Sequence, residues 1–173
     1  MLYNLIVAIC KNRGIGLNGE LPWHFSEDLR YFSKLTKGNG NNAIIMGKNT
    51  CTDTFLPGRD NLVLTSIKNN FDKKMDDGHI WKHFNSIANI ETFCNKMKYD
   101  QVWIIGGASI YKQFLQYKMV NRCYVTMIDM EYECDTFFPI LPEDEWKIDH
   151  DKTYTLIARG TNIRLDFVEY YSV

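Results

Sequence analysis

Two acidic residues follow an apolar, aromatic segment in the sequence GIGLNGELPWHFSEDLRYF at positions 14 to 32. They are Glu27 and Asp28. A carboxyl group beside buried aromatic side chains is desolvated, which raises its pKa toward the range where it can donate or relay a proton. Helical angles place Asp28 beside the apolar face marked by Leu29 and Phe32, whereas Glu27 points outward. The alternative is that the acids only complement the helix dipole at a helix start, which we favour for Glu27.

Three predicted strand ends carry groups that can hold phosphate. The segment WIIGGASIYKQF runs from a buried strand through two glycines into a helix, IMGKNT ends a strand with Gly-Lys-x-Thr, and LTS ends another strand with two hydroxyls. Glycines and helix N-termini present backbone N–H groups to anions. Taken singly, each is better explained as a tight turn or a helix cap, and IMGKNT lacks the first glycine of a Walker A motif. Taken together, they predict a dinucleotide lying across the sheet edge.

Several other polar residues allow two interpretations. Arg59 follows a Pro-Gly turn and is either a bidentate clamp for a carboxylate or an exposed loop arginine. His79 and His83 are four residues apart, but no third ligand stands near them and we expect no metal site. Cys51 is either a reactive thiol near the proposed phosphate turn or a small core residue.

Hydrophobic periodicity predicts the elements that position these groups. Apolar runs predict strands at 3–9, 42–47, 61–66, 101–107 and 122–128, and helical spacing predicts helices at 26–36, 86–98 and 109–117, with Ser26 as the N-cap of the first. The polar stretch 66–79 is predicted to be a surface loop. Two strands at 153–158 and 163–171 should form a hairpin. We therefore expect one α/β domain over residues 1–173, a mostly parallel twisted sheet flanked by helices with an antiparallel C-terminal hairpin, and ligands at the carboxyl ends of the strands.

Composition excludes several classes of protein. Twenty basic and 21 acidic residues leave a net charge of −1 in 173 residues, so neither a nucleic acid nor an anionic membrane is the expected partner. No apolar run reaches the roughly 20 residues of a membrane span, and the N-terminus lacks a basic leader. Five scattered cysteines indicate free thiols in a reducing compartment, and we expect a cytoplasmic protein.

The motifs resemble, in order, those of the dihydrofolate reductase family over essentially the whole chain. The matching segments are IVAICKNRGIGLNGELPWHFSEDLRYF, IIMGKNT, LPGRDNLVLTS, VWIIGGASIYKQF, VTMID, DTFFP and the aromatic C-terminal hairpin. The resemblance implies reduction of 7,8-dihydrofolate to 5,6,7,8-tetrahydrofolate by hydride transfer from NADPH, in support of one-carbon metabolism and thymidylate synthesis. It also implies binding of antifolate inhibitors. The chain ends soon after its last predicted strand, which fits a free monomer; a piece of a fusion with thymidylate synthase is the alternative.

The resemblance also implies catalytic roles for individual residues. Asp28 would hydrogen-bond the pterin and support its protonation, and Thr126 would support Asp28 through a hydroxyl and a water. Leu21 and Trp23 match the mobile loop that closes over the nicotinamide, where Trp23 helps to hold a water near the pterin. Tyr111 matches the tyrosine beside the nicotinamide.

Two binding sets follow from the same resemblance. Arg59 would clamp the glutamate carboxylate of folate, and the apolar walls of the substrate site would be Ile6, Val7, Leu29, Phe32, Leu56 and Ile105. Lys48 and Ser66, with Lys68, would select the 2′-phosphate of NADPH over NADH. In this family the bond between the two glycines is commonly cis. The implied cofactor site consists of Ala8, Ile15, Gly16, Gly47, Lys48, Asn49, Thr50, Leu64, Thr65, Ser66, Gly106, Gly107, Ala108, Ser109, Ile110 and Tyr111.

The chain departs from the family pattern at three places. Cys51 replaces a bulky residue, and Ala108 replaces the third glycine of the pyrophosphate turn. The segment 51–55 is short and lacks a Ser-Ile pair, for which Thr54 or Phe55 would stand in.

Two rival functions remain at this point. One is a related reductase acting on a riboflavin-precursor pyrimidine, which has no need for Asp28 after Pro-Trp or for Arg59 after Leu-Pro-Gly. The other is a module that binds NADPH or folate without turnover. The presence of the carboxylate, the loop and the cofactor residues together favours a folate-reducing enzyme over both.

Overall fold

The fold is built on a ten-stranded sheet, described by a computed structural model over residues 2–50, 55–66 and 70–173. Three helices occur in these ranges: α1 (Ser26–Lys37), α2 (Ile87–Met97) and α3 (Ala108–Gln116). The strands are β1 (Tyr3–Ile9), β2 (Gly14–Gly16), β3 (Asn42–Gly47), β4 (Asp60–Leu64), β5 (Phe71–Lys74), β6 (Ile80–Phe84), β7 (Gln101–Gly106), β8 (Val120–Ile128), β9 (Thr136–Phe137), β10 (Trp146–Ile148), β11 (Tyr154–Ile157) and β12 (Arg164–Ser172).

The centre of the sheet is parallel and its margins are antiparallel. The strand order is β10-β12-β8-β1-β7-β3-β4-β6-β5, with β11 paired to β12. The pairs from β8 across to β6 are parallel, whereas β12 joins β8, and β5 joins β6, in the antiparallel sense. The predicted α/β class, the mostly parallel sheet and the antiparallel C-terminal addition are therefore confirmed.

The middle residues of the central strands are apolar because both faces of the sheet are covered. In β3, Ala43 and Ile45 pack in the cluster that contains α2 and α3, while Ile44 and Met46 pack in the cluster that contains α1. Successive strand residues point to opposite faces, so a strand covered on both sides needs apolar residues at every position. In the described ranges, no helix is long and apolar enough to cross a membrane.

Three local predictions were wrong. Ser26 is not an N-cap, because the helix already includes it: Phe25 precedes the helix and its carbonyl accepts from Leu29 N at 3.1 Å. Part of the predicted loop 66–79 is strand β5, whose four residues are all exposed and which therefore shows no alternation of apolar and polar residues. The short strands β2, β9 and β10 were not predicted, since two or three residues carry no readable period.

Candidate active site

A cavity of about 950 Å³ lies at the carboxyl ends of the parallel strands. It extends from the loop between β1 and α1 to the segments that follow β4 and β6. Leu21, Val7 and Ile105 line it, together with every residue of the implied cofactor set except Gly106. The predicted strand ends are thus brought to one cavity, as expected when parallel strands end on the same edge of a sheet.

The turn from β7 into α3 offers a backbone surface that suits a diphosphate. The Gly106–Gly107 peptide bond is cis. A Cβ at Gly107 would lie 3.4 Å from the Thr50 hydroxyl, and one at Gly106, where φ is +113°, would lie 3.0 Å from the ring of Tyr111. The first N–H groups of α3 have no partner within the helix, and a helix N-terminus favours negative charge. The small residues and free N–H groups of this turn therefore fit a pyrophosphate.

The ends of β3 and β4 add donors to the same cavity. Lys48 and Thr50 follow β3 and Ser66 follows β4, and all three are exposed in the cavity lining. A Cβ at Gly47 would lie 3.0 Å from Ile110, so glycine allows the end of β3 to pack closely on α3. An ammonium group and hydroxyls are suitable donors to phosphate oxygens. Lys68, the third group implied for the 2′-phosphate, lies outside the described residues, as do Cys51 and Thr54.

Asp28 lies in the first turn of α1 in surroundings that disfavour its charge. Burial raises the pKa of its carboxyl group, and the nearby Thr126 hydroxyl lowers that pKa by a smaller amount. Within the described ranges, no cation forms an ion pair with Asp28. Its charge instead contributes to raising the pKa of the buried Tyr111 and of Tyr154. A carboxyl group held in this way can retain a proton at higher pH than an ordinary aspartate.

The adjacent residue, Glu27, lies in an environment that favours its charged form. Its Oε1 accepts a hydrogen bond of 2.7 Å from Arg159 N, in the turn between β11 and β12. This hydrogen bond is the main reason that the pKa of Glu27 is lowered. Glu27 therefore ties α1 to the C-terminal hairpin, a role beyond the dipole complementation predicted from the sequence.

Thr126 belongs to a row of paired residues that crosses four strands. Ala8 on β1 pairs with Thr126 on β8, Thr126 with Phe167 on β12, and Phe167 with Tyr154 on β11. Directly paired residues project from the same face of a sheet. Thr126 is 1% exposed. Its hydroxyl lies near Asp28, but among the described residues no partner stands at hydrogen-bonding distance from it. A buried hydroxyl in that state is costly unless a ligand or water pairs with it.

Arg59 is buried, contrary to the alternative of an exposed loop arginine. Its side chain is 7% exposed, and Nη1 donates to Thr36 Oγ1 at 3.0 Å and to Ser33 O at 3.4 Å. The guanidinium lies 6.0 Å from the centroid of the Phe32 ring, and burial lowers its pKa. Across the described residues it meets no carboxylate, and Nε has no partner. Buried guanidinium groups are usually paired, so this one is suited to an anionic ligand.

Apolar side chains connect Arg59 to the cavity. Phe32, Leu56 and Ile105 are partly buried and pack on a cluster that includes Ile6, and Ile105 also lines the cavity. Leu29, predicted on the buried face of α1, is 44% exposed. Four of the predicted substrate residues, Ile6, Phe32, Leu56 and Ile105, therefore form an apolar wall that begins at the cavity and reaches the guanidinium at Phe32, whereas Leu29 is not part of it.

The loop between β1 and α1 brings Leu21 to the cavity and buries Trp23. Leu21 is 55% exposed, while Trp23 is 8% exposed and lies 5.3 Å from the ring of Tyr132. The Trp23 indole N–H finds no acceptor among the described residues, which leaves it available to a water molecule. The two residues implied for the closing loop thus differ in exposure, although they are separated by one proline.

Asp135 holds the loop between β1 and α1 in place, a role that was not predicted from the sequence. Its Oδ2 accepts from Asn18 N at 3.0 Å, and its own N–H donates to Gly16 O at 2.9 Å. The hydrogen bond from Asn18 is the main reason that the pKa of Asp135 is lowered. Asp135 lies in the quoted segment DTFFP, so the signal was present, but its partner is 117 residues away.

Other cavity residues were also missed. Asn85, Ser86 and Ile87 lie where β6 passes into α2, a fourth strand end at the same edge. These residues could not be assigned to the cavity without the sheet order, which places β6 beside β4. The remaining unpredicted lining residues are Gly19, Glu20, Gln113, Asp135 and Thr136.

None of the described histidines or cysteines lines this cavity. His79 stacks on Phe55 at 4.1 Å, and His83 on Phe71 at 4.2 Å. In the part of the chain that the structure describes, no group of three or more potential metal ligands comes together.

Comparison with known proteins agrees with the geometry. The family profile described as Dihydrofolate reductase matches residues 2–171. A dihydrofolate reductase of Drosophila melanogaster is 32% identical over 173 residues, covering 92% of this chain and 91% of the relative. One of Staphylococcus haemolyticus is 39% identical, covering 83% and 80%, and a viral dihydrofolate reductase of Saimiriine herpesvirus 2 is 35% identical, covering 86% and 73%. The chain belongs to the dihydrofolate reductase family.

Proposed function

We propose that this chain reduces 7,8-dihydrofolate to 5,6,7,8-tetrahydrofolate with NADPH. The observation that carries the proposal is Asp28, a carboxyl group with a raised pKa and no cationic partner in the described structure, beside the unpaired Thr126 hydroxyl. Neither residue lines the dinucleotide-sized cavity itself, but Thr126 pairs with Ala8 and Asp28 acts electrostatically on Tyr111, and both of these partners line it. NADPH, when bound, supplies the hydride. The residues that would hold it are the glycine turn before α3 together with Lys48, Thr50 and Ser66.

The role of Asp28 is to support protonation of the substrate. Its desolvated carboxyl group accepts hydrogen bonds from the amino group and ring nitrogen of the pterin and favours the protonated imine. Thr126 orients that carboxyl group through its hydroxyl and a water. Leu21 covers the cavity, and the free indole N–H of Trp23 helps to retain a water near the ring. Tyr111, whose hydroxyl donates toward the carbonyls of Ile6 and Ile105, fixes the wall beside the cofactor.

Arg59 supports folate as the substrate over a riboflavin-precursor pyrimidine. The buried guanidinium lies 6.0 Å from the centroid of the Phe32 ring, and Phe32 belongs with Leu56 to the apolar cluster that reaches the cavity at Ile105. Folate has this order of groups: a pterin to pair with an acid, an apolar aminobenzoyl ring and a terminal carboxylate. A guanidinium with a free edge binds that carboxylate in a bidentate manner. The same order of groups favours binding of antifolate inhibitors.

We further propose that the protein acts in the cytoplasm as a monomer and supplies one-carbon metabolism and thymidylate synthesis. Four of its cysteines, Cys10, Cys94, Cys123 and Cys134, are free thiols in the described residues, which is typical of a reducing compartment.

The test is NADPH oxidation with dihydrofolate, measured at neutral and acidic pH for the native chain and for Asp28→Asn. The native chain should be active at both pH values. The Asp28→Asn chain should lose roughly 10²- to 10⁴-fold at neutral pH, the usual contribution of a positioned acid or base, and recover partly in acid.

Glu27→Gln is the matched control, since it removes a neighbouring carboxylate that lies outside the cavity. It should keep near-native activity. A native chain that binds NADPH without oxidising it in the presence of dihydrofolate would contradict the proposal. Oxidation with a riboflavin-precursor pyrimidine alone would transfer the chain to the rival reductase.

A further inference from the structure

Two thiols from distant parts of the chain meet beneath the loop that borders the cavity. Cys10 follows β1 directly, and Cys134 lies two residues before β9. Their Sγ atoms are 3.9 Å apart. A disulfide bond is about 2.05 Å long, so the two sulfur atoms need to approach by about 1.9 Å. Oxidation therefore requires the two side chains to rotate toward each other.

The surrounding residues keep the two thiols together. A Cβ at Gly14 would lie 2.2 Å from Cys134 Sγ and 3.1 Å from Cys10 Sγ, so only glycine leaves this space to the sulfur atoms. Asn12 joins the two segments: its Oδ1 accepts from Cys10 Sγ at 2.5 Å, and its Nδ2 donates to Tyr132 O at 3.0 Å. The pair is therefore built into the contact between the two segments.

Exposure distinguishes the two thiols from each other and from the other described cysteines. Cys10 is 2% exposed and Cys134 is partly exposed, whereas Cys94 and Cys123 are fully buried. Burial raises the pKa of Cys94 to about 12 and also raises those of Cys123 and Cys134, so exposure, not the direction of the pKa shift, separates Cys134 from the other two. Among these four, Cys134 is the thiol that a reagent from solution reaches first.

We propose that Cys10 and Cys134 form a modification site, a dithiol that small disulfide compounds oxidise to an intramolecular disulfide. The Cys134 thiolate attacks one sulfur of the oxidant, forming a mixed disulfide and releasing one thiolate. The Cys10 thiolate then attacks Cys134 Sγ and releases the second thiolate. The protein loses two protons and two electrons, and the oxidant becomes two thiols after protonation from solvent.

A disulfide between Cys10 and Cys134 would join the start of the loop between β1 and α1 covalently to the segment before β9. β2 pairs with β9 through Gly14 with Phe137 and Gly16 with Thr136. The bond would add a covalent link at the base of this pair, and the loop it restrains brings Gly16 and Leu21 to the cavity. This consequence rests on the proposed function, because loop opening limits turnover only if substrate and product pass that loop. Oxidation should therefore lower dihydrofolate turnover severalfold, and dithiothreitol should restore it.

The experiment incubates the native-state protein with oxidised glutathione and measures its intact mass. All variants carry Cys51→Ser, which removes a cysteine outside the described residues. The parent should lose the mass of two hydrogens without gaining glutathione. Cys10→Ser should stop at a glutathione adduct on Cys134, whereas Cys134→Ser, with only buried thiols in the described residues, should react far more slowly.

Two results would overturn the modification site. One is a parent that stays reduced while its urea-unfolded form oxidises. The other is a glutathione adduct on the parent that never resolves to the internal disulfide, with the same adduct on both single variants. Turnover that is unchanged after complete oxidation would overturn the loop effect alone. Absence of turnover in the reduced protein would count against the proposed function and leave the mass result standing.

Discussion

At the residue scale, the two adjacent acids show that different environments give similar side chains different pKa values and different roles. Glu27 accepts a backbone hydrogen bond from Arg159, which lowers its pKa, and it stabilises the folded chain as a carboxylate. Asp28 is desolvated, which raises its pKa. A raised pKa means that the charged form is held at a cost in stability, and such a cost is typical of a group kept for function.

The cost at Asp28 gives a prediction for stability against pH. A carboxyl group with a higher pKa in the folded state than in the unfolded state contributes most stability when protonated, and that contribution is lost as pH rises through the folded pKa. Asp28→Asn should therefore raise the free energy of unfolding at neutral pH. The gain should vanish below about pH 4, where an unfolded aspartate is protonated.

Urea unfolding of both chains from acidic to neutral pH checks this prediction. Glu27→Gln should change in the opposite direction, losing stability at neutral pH, because the native carboxylate has a lowered pKa. A lower unfolding free energy for Asp28→Asn at neutral pH would contradict the assigned environment.

Arg59 gives a second prediction at this scale. Arg59→Lys keeps the positive charge but loses the fork that binds a carboxylate through two hydrogen bonds. We expect the KM for dihydrofolate to rise about 30-fold or more, the equivalent of the roughly 2 kcal/mol or more that truncation of a buried charged contact costs. The value of kcat should change little, since this contact does not distinguish ground state from transition state.

A dihydropterin without the aminobenzoylglutamate tail is the matched control substrate. It has no carboxylate to bind Arg59, so native and Arg59→Lys chains should use it equally. An equal loss with both substrates would show that the arginine acts through the fold, by its hydrogen bond to Thr36.

At the element scale, the loop between β1 and α1 depends on the short strand β9 and on Asp135 before it. Asp135 accepts from Asn18 N and donates to Gly16 O, and β2 pairs with β9 beside these bonds. The loop carries Leu21 to the cavity and Trp23 into a buried aromatic contact. Asp135 does not line the substrate wall, so we regard it as a positioning residue.

Asp135→Ala should slow hydride transfer by about tenfold or more, because hydrogen bonds to a charged group contribute roughly 1.5–3 kcal/mol. The KM for NADPH should rise as well, and Asp135→Asn should recover part of both losses by keeping an acceptor. Stopped-flow measurement of the transfer step separates these effects. Asp129→Asn is the matched control: its carboxylate pairs with Lys11 at 3.3 Å on the surface, and such pairs contribute little. Equal effects of the two substitutions would contradict the role of Asp135.

At the scale of the whole molecule, the sequence predicted what local periodicity encodes. Strand β3 was predicted with its observed bounds, because the apolar run Ala43 to Met46 stands between polar turns and ends at Gly47. The exposed edge strand β5 was missed, since its pairing with β6 is a backbone interaction that side chains such as Asp72 and Lys73 do not reveal. Ser26 failed as an N-cap because helix α1 begins with that residue itself.

The candidate site likewise contains residues that the sequence predicted and residues that it did not. Residues at strand ends, such as Lys48 and Gly107, were found because strand, turn and helix follow one another in the chain. Asn85 and Asp135 were missed because their proximity to the cavity depends on strand order and on pairing across more than one hundred residues. The Cys10–Cys134 contact has the same origin, and scattered cysteines gave no sign of it.

The most direct test of the account is the single-turnover rate of hydride transfer to dihydrofolate, measured across pH for the native chain and Asp28→Asn. The native rate should fall as pH rises, by about tenfold per unit once the pH exceeds the pKa of the imine that the Asp28 carboxylate helps to protonate. The Asp28→Asn rate should be far lower at neutral pH and converge toward the native rate in acid, where substrate arrives already protonated. Two parallel profiles, or an Asp28→Asn chain as fast as the native one at neutral pH, would contradict Asp28 as the group that supports proton delivery.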